Sequence, residues 1–239
     1  MTGRQMPPSS GFAGDDGSAD PALAAALSAH AAADGPLSDV VSALADARLL
    51  VPVLAEAEVT EEGEHGTVDR EASSGVVALE TPDGRRALPV FSSVESMARW
   101  RKDARPVPVE SARAAQSAVS EGWSVLVVDP AGPHTALLPR PAVWAIGQGK
   151  AWEPAVVDGV VQAEVAEAIV AAVGGIEHVA GVRAEPGRSA EVAVVLAIHA
   201  GLDRQGLDRV LGQVNGALAR KSVIAERVDS LELRVGKAA

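Results

Sequence analysis

The stretch "TPDGRRALPVFSSVESMARW", Thr81–Trp100, decides how the first half of this chain folds. Pro82, Asp83 and Gly84 lie between two apolar runs, "GVVALE" and "ALPVF". Proline presets φ for a tight turn, and glycine accepts the left-handed conformation that closes it, so the segment predicts a β-hairpin. Ser92 with Glu95 three residues on has the spacing of a capping box, in which each side chain satisfies an amide at a helix start. A helix is therefore expected over "SSVESMARW", with Val94, Met97 and Ala98 as its buried stripe. Arg85 and Arg86 at the hairpin tip, and Arg99, Trp100 and Arg101 at the far end of the helix, have no part in this local logic.

Upstream, "DPALAAALSAHAAADG" reads as a helix with Asp20 as N-cap, Pro21 at the first helical position and Gly35 as the stop. "PLSDVVSALADA" is a second helix with Val40, Val41, Leu44 and Ala45 on one face. "RLLVPVLAE" is a strand whose Pro52 suits an edge or a strand end. Residues 1–19, rich in Gly, Ser, Pro and Asp, read as a disordered tail. The acidic "EAEVTEEGEHGTVDREASSG" reads as a solvated loop, or as a docking loop for a basic partner.

Downstream, "ARPVPVE" is a strand and "SARAAQSAVSEG" a helix with Ser111 as a cap. "SVLVVDPAGPHTALLPR" is a second hairpin and "PAVWAIGQGK" a further short helix. The two hairpins share a Pro/Gly turn, an Ala-Leu step, a proline and a Trp-bearing helix, a pattern consistent with duplication. Trp152-Glu153-Pro154 reads as a linker. After it come a helix ended by Gly174-Gly175, two strands joined at Pro186-Gly187, a helix carrying Leu207, Val210, Leu211, Val214 and Leu218 on one face, and a closing strand "VDSLELRV". The expected fold class is α+β: a mixed or antiparallel-sheet N-terminal domain at residues 20–154 with hairpins and packed helices, then a smaller αββαβ sandwich at residues 155–239, built on an antiparallel sheet.

Composition narrows function. The chain has 239 residues and no cysteine, which removes thiol nucleophiles, Cys-based zinc sites and disulfides together. A net charge of −11 repels a phosphate backbone, so DNA is excluded and RNA disfavoured as a partner. Arg209, Arg220 and Lys221 on one helix read as a solvated face. No apolar run reaches the ~20 residues that span a bilayer. The start, "MTGRQMPPSSGFAGDDGSAD", carries acids and prolines where a signal peptide is apolar, and a cytoplasmic location is expected.

The strand "LLVPVLAE", the hairpin and helix "TPDGRRALPVFSSVESMARW" and the later "EGWSVLVVDPAGPHTALLPRPAVWAI" resemble, in this order, the N-terminal domain of the SseB (enhanced serine sensitivity) family. The region after residue 155 is similar to that family's C-terminal domain. The lead-in "DREASSGVVAL" departs from the charged, methionine-containing lead-in of many relatives. The resemblance implies a non-secreted bacterial protein without an established catalytic activity.

Motifs for chemistry are sparse. No Gly-x-Gly-x-x-Gly follows a strand and no phosphate-binding loop occurs; "GQGK" at Gly147–Lys150 is a fragment only. "GWSVL" lacks the second glycine of a nucleophile elbow. His30, His65, His134, His178 and His199 show no His-x-x-x-His spacing, so no metal or other cofactor is expected; His178 and His199 fall at adjacent strand ends. Arg85, Arg86, Arg99 and Trp100 are the candidate partner or ligand site, since arginine forks carboxylates bidentately. Trp100, Trp123, Trp144 and Trp152 form either one cluster or a groove lining. Three readings follow: a non-catalytic protein-interaction or regulatory module with a protein partner; a sensor of an amino acid or related small carboxylate; and a hydrolase using paired carboxylates.

Overall fold

The computed structural model describes residue 12 and residues 14–54, 68–69 and 77–238. The acidic loop lies mostly outside the described residues, as does His65. The chain divides into two compact units, one running to Leu138 and including Ile146–Gly149, the other made of Pro139–Ala145 and the chain from Lys150 on.

In the first unit, α1 (Pro21–Ala31) starts as expected: the Asp20 carboxylate accepts from the amides of Ala22 at 2.8 Å and Leu23 at 3.1 Å. It stops before Gly35, because Ala33 takes the left-handed φ of 58°. Gly35 serves packing instead, since a Cβ there would lie 3.1 Å from that of Ala29. α2 (Leu37–Asp46) buries Val40, Val41 and Leu44, while Ala45 faces solvent. β1 (Arg48–Val53) pairs antiparallel with β5 (Arg105–Glu110). Pro52 faces Pro106, so two residues without an amide hydrogen occupy one rung.

The main sheet has the order β2-β3-β4-β6-β7. Its strands are β2 (Val68–Asp69), β3 (Ala78–Glu80), β4 (Arg86–Val90), β6 (Val125–Val128) and β7 (Ala136–Leu138). Both expected hairpins form: Glu80 pairs with Arg86 across Gly84 at φ 81°, and Val128 pairs with Ala136. Between them, β4 and β6 run parallel, which makes the sheet mixed. Pro89 sits in a central strand because the β3 pairing reaches only Arg86 and Ala87. Leu88, Val90, Phe91, Leu126 and Val128 are buried, and so are Ala87, Val125 and Val127, which form a cluster of their own.

The helices refine the expected caps. α3 (Val94–Trp100) is capped by Ser93, whose hydroxyl accepts from the Ser96 amide at 3.0 Å; Ser92 is not the cap. Val94 and Ala98 are exposed, and the packed pair is Met97 with Trp100, one turn apart, against Leu50 and Phe91. α4 (Ser111–Ser120) follows β5, but Ser111 does not cap it; its hydroxyl donates to the Ala47 carbonyl at 2.7 Å. Residues 14–19, part of the stretch the sequence reads as a tail, make the hydrogen bonds described below; residues 1–11 and 13 lie outside the described residues. α5 (Arg140–Gly147) is divided between the units, its residues up to Ala145 belonging to the second.

In the second unit, β8 (Val156–Val157) and β9 (Val160–Val161) form a small hairpin across Asp158 and Gly159, both at positive φ. The helix expected between the linker and Gly174-Gly175 begins only after this hairpin, as α6 (Ala163–Val173). β10 (Val179–Pro186) and β11 (Val192–Ile198) are antiparallel. α7 (Arg204–Ala219) buries Val210, Val214 and Leu218, with Leu207 and Leu211 packed beside the core. α8 (Ser222–Arg227), unforeseen in the sequence, follows it. β12 (Leu231–Lys237) then pairs with β11 in parallel, so the sheet is mixed and not antiparallel. The intervening helices form the long crossover that a parallel return requires.

The Glu232 carboxylate ties β12 to the β10–β11 turn. It accepts from the Ser189 hydroxyl, from the amides of Arg188 and Ser189 at 3.0 Å each, and from Arg234. The Ser189 hydroxyl, followed by the Arg188 amide, holds it down to about 2, below the ~4.3 of an unfolded glutamate. A depressed carboxylate stabilises the fold above its unfolded value and loses that contribution as pH falls toward its folded one. Thermal melts of wild type and Glu232→Gln from pH 7 to pH 2 test this. The wild type melts higher at pH 7, and the gap closes between about pH 5 and pH 2.

Candidate functional site

The sequence-named residues fall at two places. Arg86 opens β4, and Phe91 follows its last residue, roughly 17 Å away at ~3.3 Å per residue. Trp100 packs on Phe91, with ring centroids 5.3 Å apart and planes tilted by 35°. The hairpin arginines and the Arg99–Trp100 pair therefore mark opposite ends of one strand. Arg85 donates through Nε to Asp83 at 2.7 Å, Arg99 to Glu95 at 2.8 Å and Arg101 to Asp103 at 2.7 Å. These are exposed ion pairs of small energetic weight.

The strongest arginine fork lies elsewhere, on Arg48 at the start of β1. Its Nε and Nη2 donate to the two Asp15 carboxylate oxygens at 2.5 Å each, a bidentate pair. Nη2 also donates to the Ser18 carbonyl at 2.8 Å, and Nη1 to the Ser92 carbonyl at 2.7 Å. The Arg48 side chain is only 13% exposed. Its hydrogen bonds, above all, hold the Asp15 carboxyl below the usual carboxylate range. An open groove of about 410 Å³ surrounds the pair, lined by Phe12, Asp20, Pro21 and Asp46 among others. Gly17 seats the arm against α3: its carbonyl accepts from the Val94 amide at 2.9 Å, its φ is 80°, and a Cβ there would lie 2.7 Å from Val94 Cγ2. Sequence reading missed this site because a Gly/Ser/Asp-rich stretch carries no apolar pattern.

A second polar constellation sits at the C-terminal ends of β4 and β6. Asp129, 5% exposed and at φ 49°, accepts from the Ser92 amide at 2.8 Å and the Ser92 hydroxyl at 2.6 Å. Burial raises its carboxyl above the ordinary value, opposed by those bonds, by Ser96 and by the charge of His134. Its amide donates to the Val90 carbonyl at 2.9 Å, and its own carbonyl accepts from the Thr135 hydroxyl at 2.8 Å. The carboxylate thus joins the second hairpin to the β4–α3 junction. A nearby serine and histidine suggest acid–base chemistry, but Ser92 is itself buried with its hydroxyl committed to Asp129.

The family comparison fits this unit. The SseB protein N-terminal domain matches residues 23–145. The chain belongs to the SseB family. No curated protein and no solved structure matches it. The SseB match contains Arg48, Ser92 and Asp129 and the hairpin arginines, but begins after Asp15. Within the SseB fold, Trp123 is buried and Trp144 is 47% exposed. Among the described residues Phe91 and Trp100 form a tilted aromatic pair. His178 and His199 are exposed neighbours, the His199 amide donating to the His178 carbonyl at 3.0 Å. No group of three or more His, Asp or Glu among the described residues is placed to hold a metal ion. No helix among them is long and apolar enough to cross a membrane.

Two substitutions measure these sites. Asp129→Asn keeps an acceptor for the Ser92 amide, tolerates positive φ and removes the buried charge, so it stays within ~1 kcal/mol of wild type. Asp129→Ala strands the Ser92 groups and costs about 2–4 kcal/mol in urea denaturation at pH 7. Gly17→Ala combines positive φ with the Val94 contact and speeds amide exchange at Val94 at least ~10-fold, by the ~1.4 kcal/mol it loses.

Proposed function

We propose that this SseB-family chain is a non-catalytic protein-interaction or regulatory module of the cytoplasm. The residues after 155 are read as the family's C-terminal domain, and residues 20–154 as the N-terminal domain that presents a groove to a protein partner. The observation that carries the reading is the open groove around Arg48, about 410 Å³ in volume. That size accommodates a few side chains of a bound segment. The groove is lined by the arm from Phe12 to Asp20 on one side and by Pro21 of α1, Asp46 and Ala47 at the end of α2 and Arg48 of β1 on the other. The Asp129 carboxylate supports the same reading, since its bonds serve the hairpin junction and not an open cleft.

A sensor of a small carboxylate is the second reading. The bidentate geometry of Arg48 favours it, because that fork suits any carboxylate. The hairpin arginines Arg85 and Arg86 and the Arg99–Trp100 pair remain proposed contact points on the same unit.

Native mass spectrometry of the protein isolated gently from its own host tests the reading. A protein partner at defined stoichiometry is expected. Asp46→Arg, which reverses charge on the groove rim, removes most of that complex while the melting temperature stays within ~2 °C, as for other exposed substitutions. Arg85→Glu with Arg86→Glu reports whether the hairpin tip takes part. A small adduct in place of protein mass would establish the sensor reading instead.

A further inference from the structure

We propose that the surface made by the Arg48 guanidinium and the Val94 amide, beside the groove, is a receptor for a peptide carboxylate in an Asp-x-Gly segment, and that residues 14–19 cover it in cis until a partner's segment replaces them. The inference rests on the interaction reading above and names its ligand chemistry. The receptor side is built into the scaffold. Arg48 leaves β1 with its Nη1 fixed to the Ser92 carbonyl, so the guanidinium plane is held independently of Asp15. Three further bonds go to the arm: two to the Asp15 carboxylate and one to the Ser18 carbonyl. The Val94 amide supplies the further contact, to the Gly17 carbonyl.

These are the contacts by which a peptide is recognised in trans: one charged fork and two main-chain carbonyls. They also define specificity. The residue two after the aspartate is glycine, because φ is 80° and a Cβ would strike Val94 Cγ2 at 2.7 Å. The carboxylate that Arg48 meets is the one two residues before the glycine, so an aspartate is required at that position. Tethering gives the arm an effective concentration of order millimolar, which a partner must overcome.

The test uses the full chain and a labelled, C-terminally amidated peptide with the sequence of residues 14–20, read by fluorescence anisotropy. Asp15→Ala is expected to bind the peptide at least ~10-fold more tightly than wild type, by removal of the cis competitor. Adding Arg48→Lys to Asp15→Ala abolishes the gain, as does alanine at the peptide's second-position-after-Asp glycine. In Asp15→Asn, exchange of the Val94 amide rises at least ~10-fold if the arm is released. Equal binding by wild type and Asp15→Ala, or unchanged Val94 protection, would overturn the proposal. Acetate competing as well as peptide would overturn the peptide assignment. A host complex that survives Asp46→Arg while Asp15→Ala gains peptide affinity would sink the interaction reading alone. A complex lost in Asp46→Arg with no such gain would sink this inference alone.

Discussion

The first unit depends on the parallel contact between β4 and β6. Each strand is buried along its length, from Ala87 to Phe91 in one and from Val125 to Val128 in the other, in the near-continuous apolar runs that parallel strands show. Parallel neighbours leave both carboxyl ends on one edge of the sheet, and Asp129 and Ser92 meet there. Burying a carboxylate is costly unless its acceptors are filled, and the raised Asp129 pKa records that cost. The Ser92 amide and hydroxyl fill them. The same serine then presents its carbonyl to Arg48. Buried Ser92 therefore meets Asp129 of the second hairpin on one side and orients Arg48 on the other.

Much of the fold was legible because local chemistry and tertiary need agree. Pro82-Asp83-Gly84, the Asp20 cap with Pro21, and the Leu207–Leu218 stripe each state a conformation that packing then uses. The errors share a cause. Ser92 and Ser93 are both competent caps, and tertiary demand from Asp129 took the first, leaving the second to cap α3. Ser111 went to the Ala47 carbonyl in the same way. Strand direction is not written in a single strand's pattern, so β12 read equally well as antiparallel until its crossover was seen. The Asp158-Gly159 turn was a strong local signal hidden by two-residue strands too short to show alternation.

The candidate site was the least legible part. Arginines attract attention by clustering in sequence, and Arg85, Arg86, Arg99 and Arg101 cluster well. Three of them spend a donor on a carboxylate within four residues, as surface helices and turns commonly do. Arg48 stands alone among apolar residues, yet its partner is 33 positions away. Long-range pairing of this kind has no periodic signature, and burial gives it more weight than any of the exposed pairs.

The arm before α1 shows how order arises without a hydrophobic face. Fixing backbone costs roughly 1–2 kcal/mol per residue, and residues 14–19 bury little apolar surface to offset it. Hydrogen bonds to a charged group return roughly 1.5–3 kcal/mol each and neutral ones about 1. Three bonds from Arg48 and one from Val94 therefore come close to the cost of ordering the arm, with a small balance either way. A segment held on so narrow a margin is ordered but exchangeable. Because polar contacts and not core packing hold it, removing it leaves the apolar interior of the first unit intact. Exchange at the Arg48 groove is thus a local event, separable from the stability of the sheet that supports it.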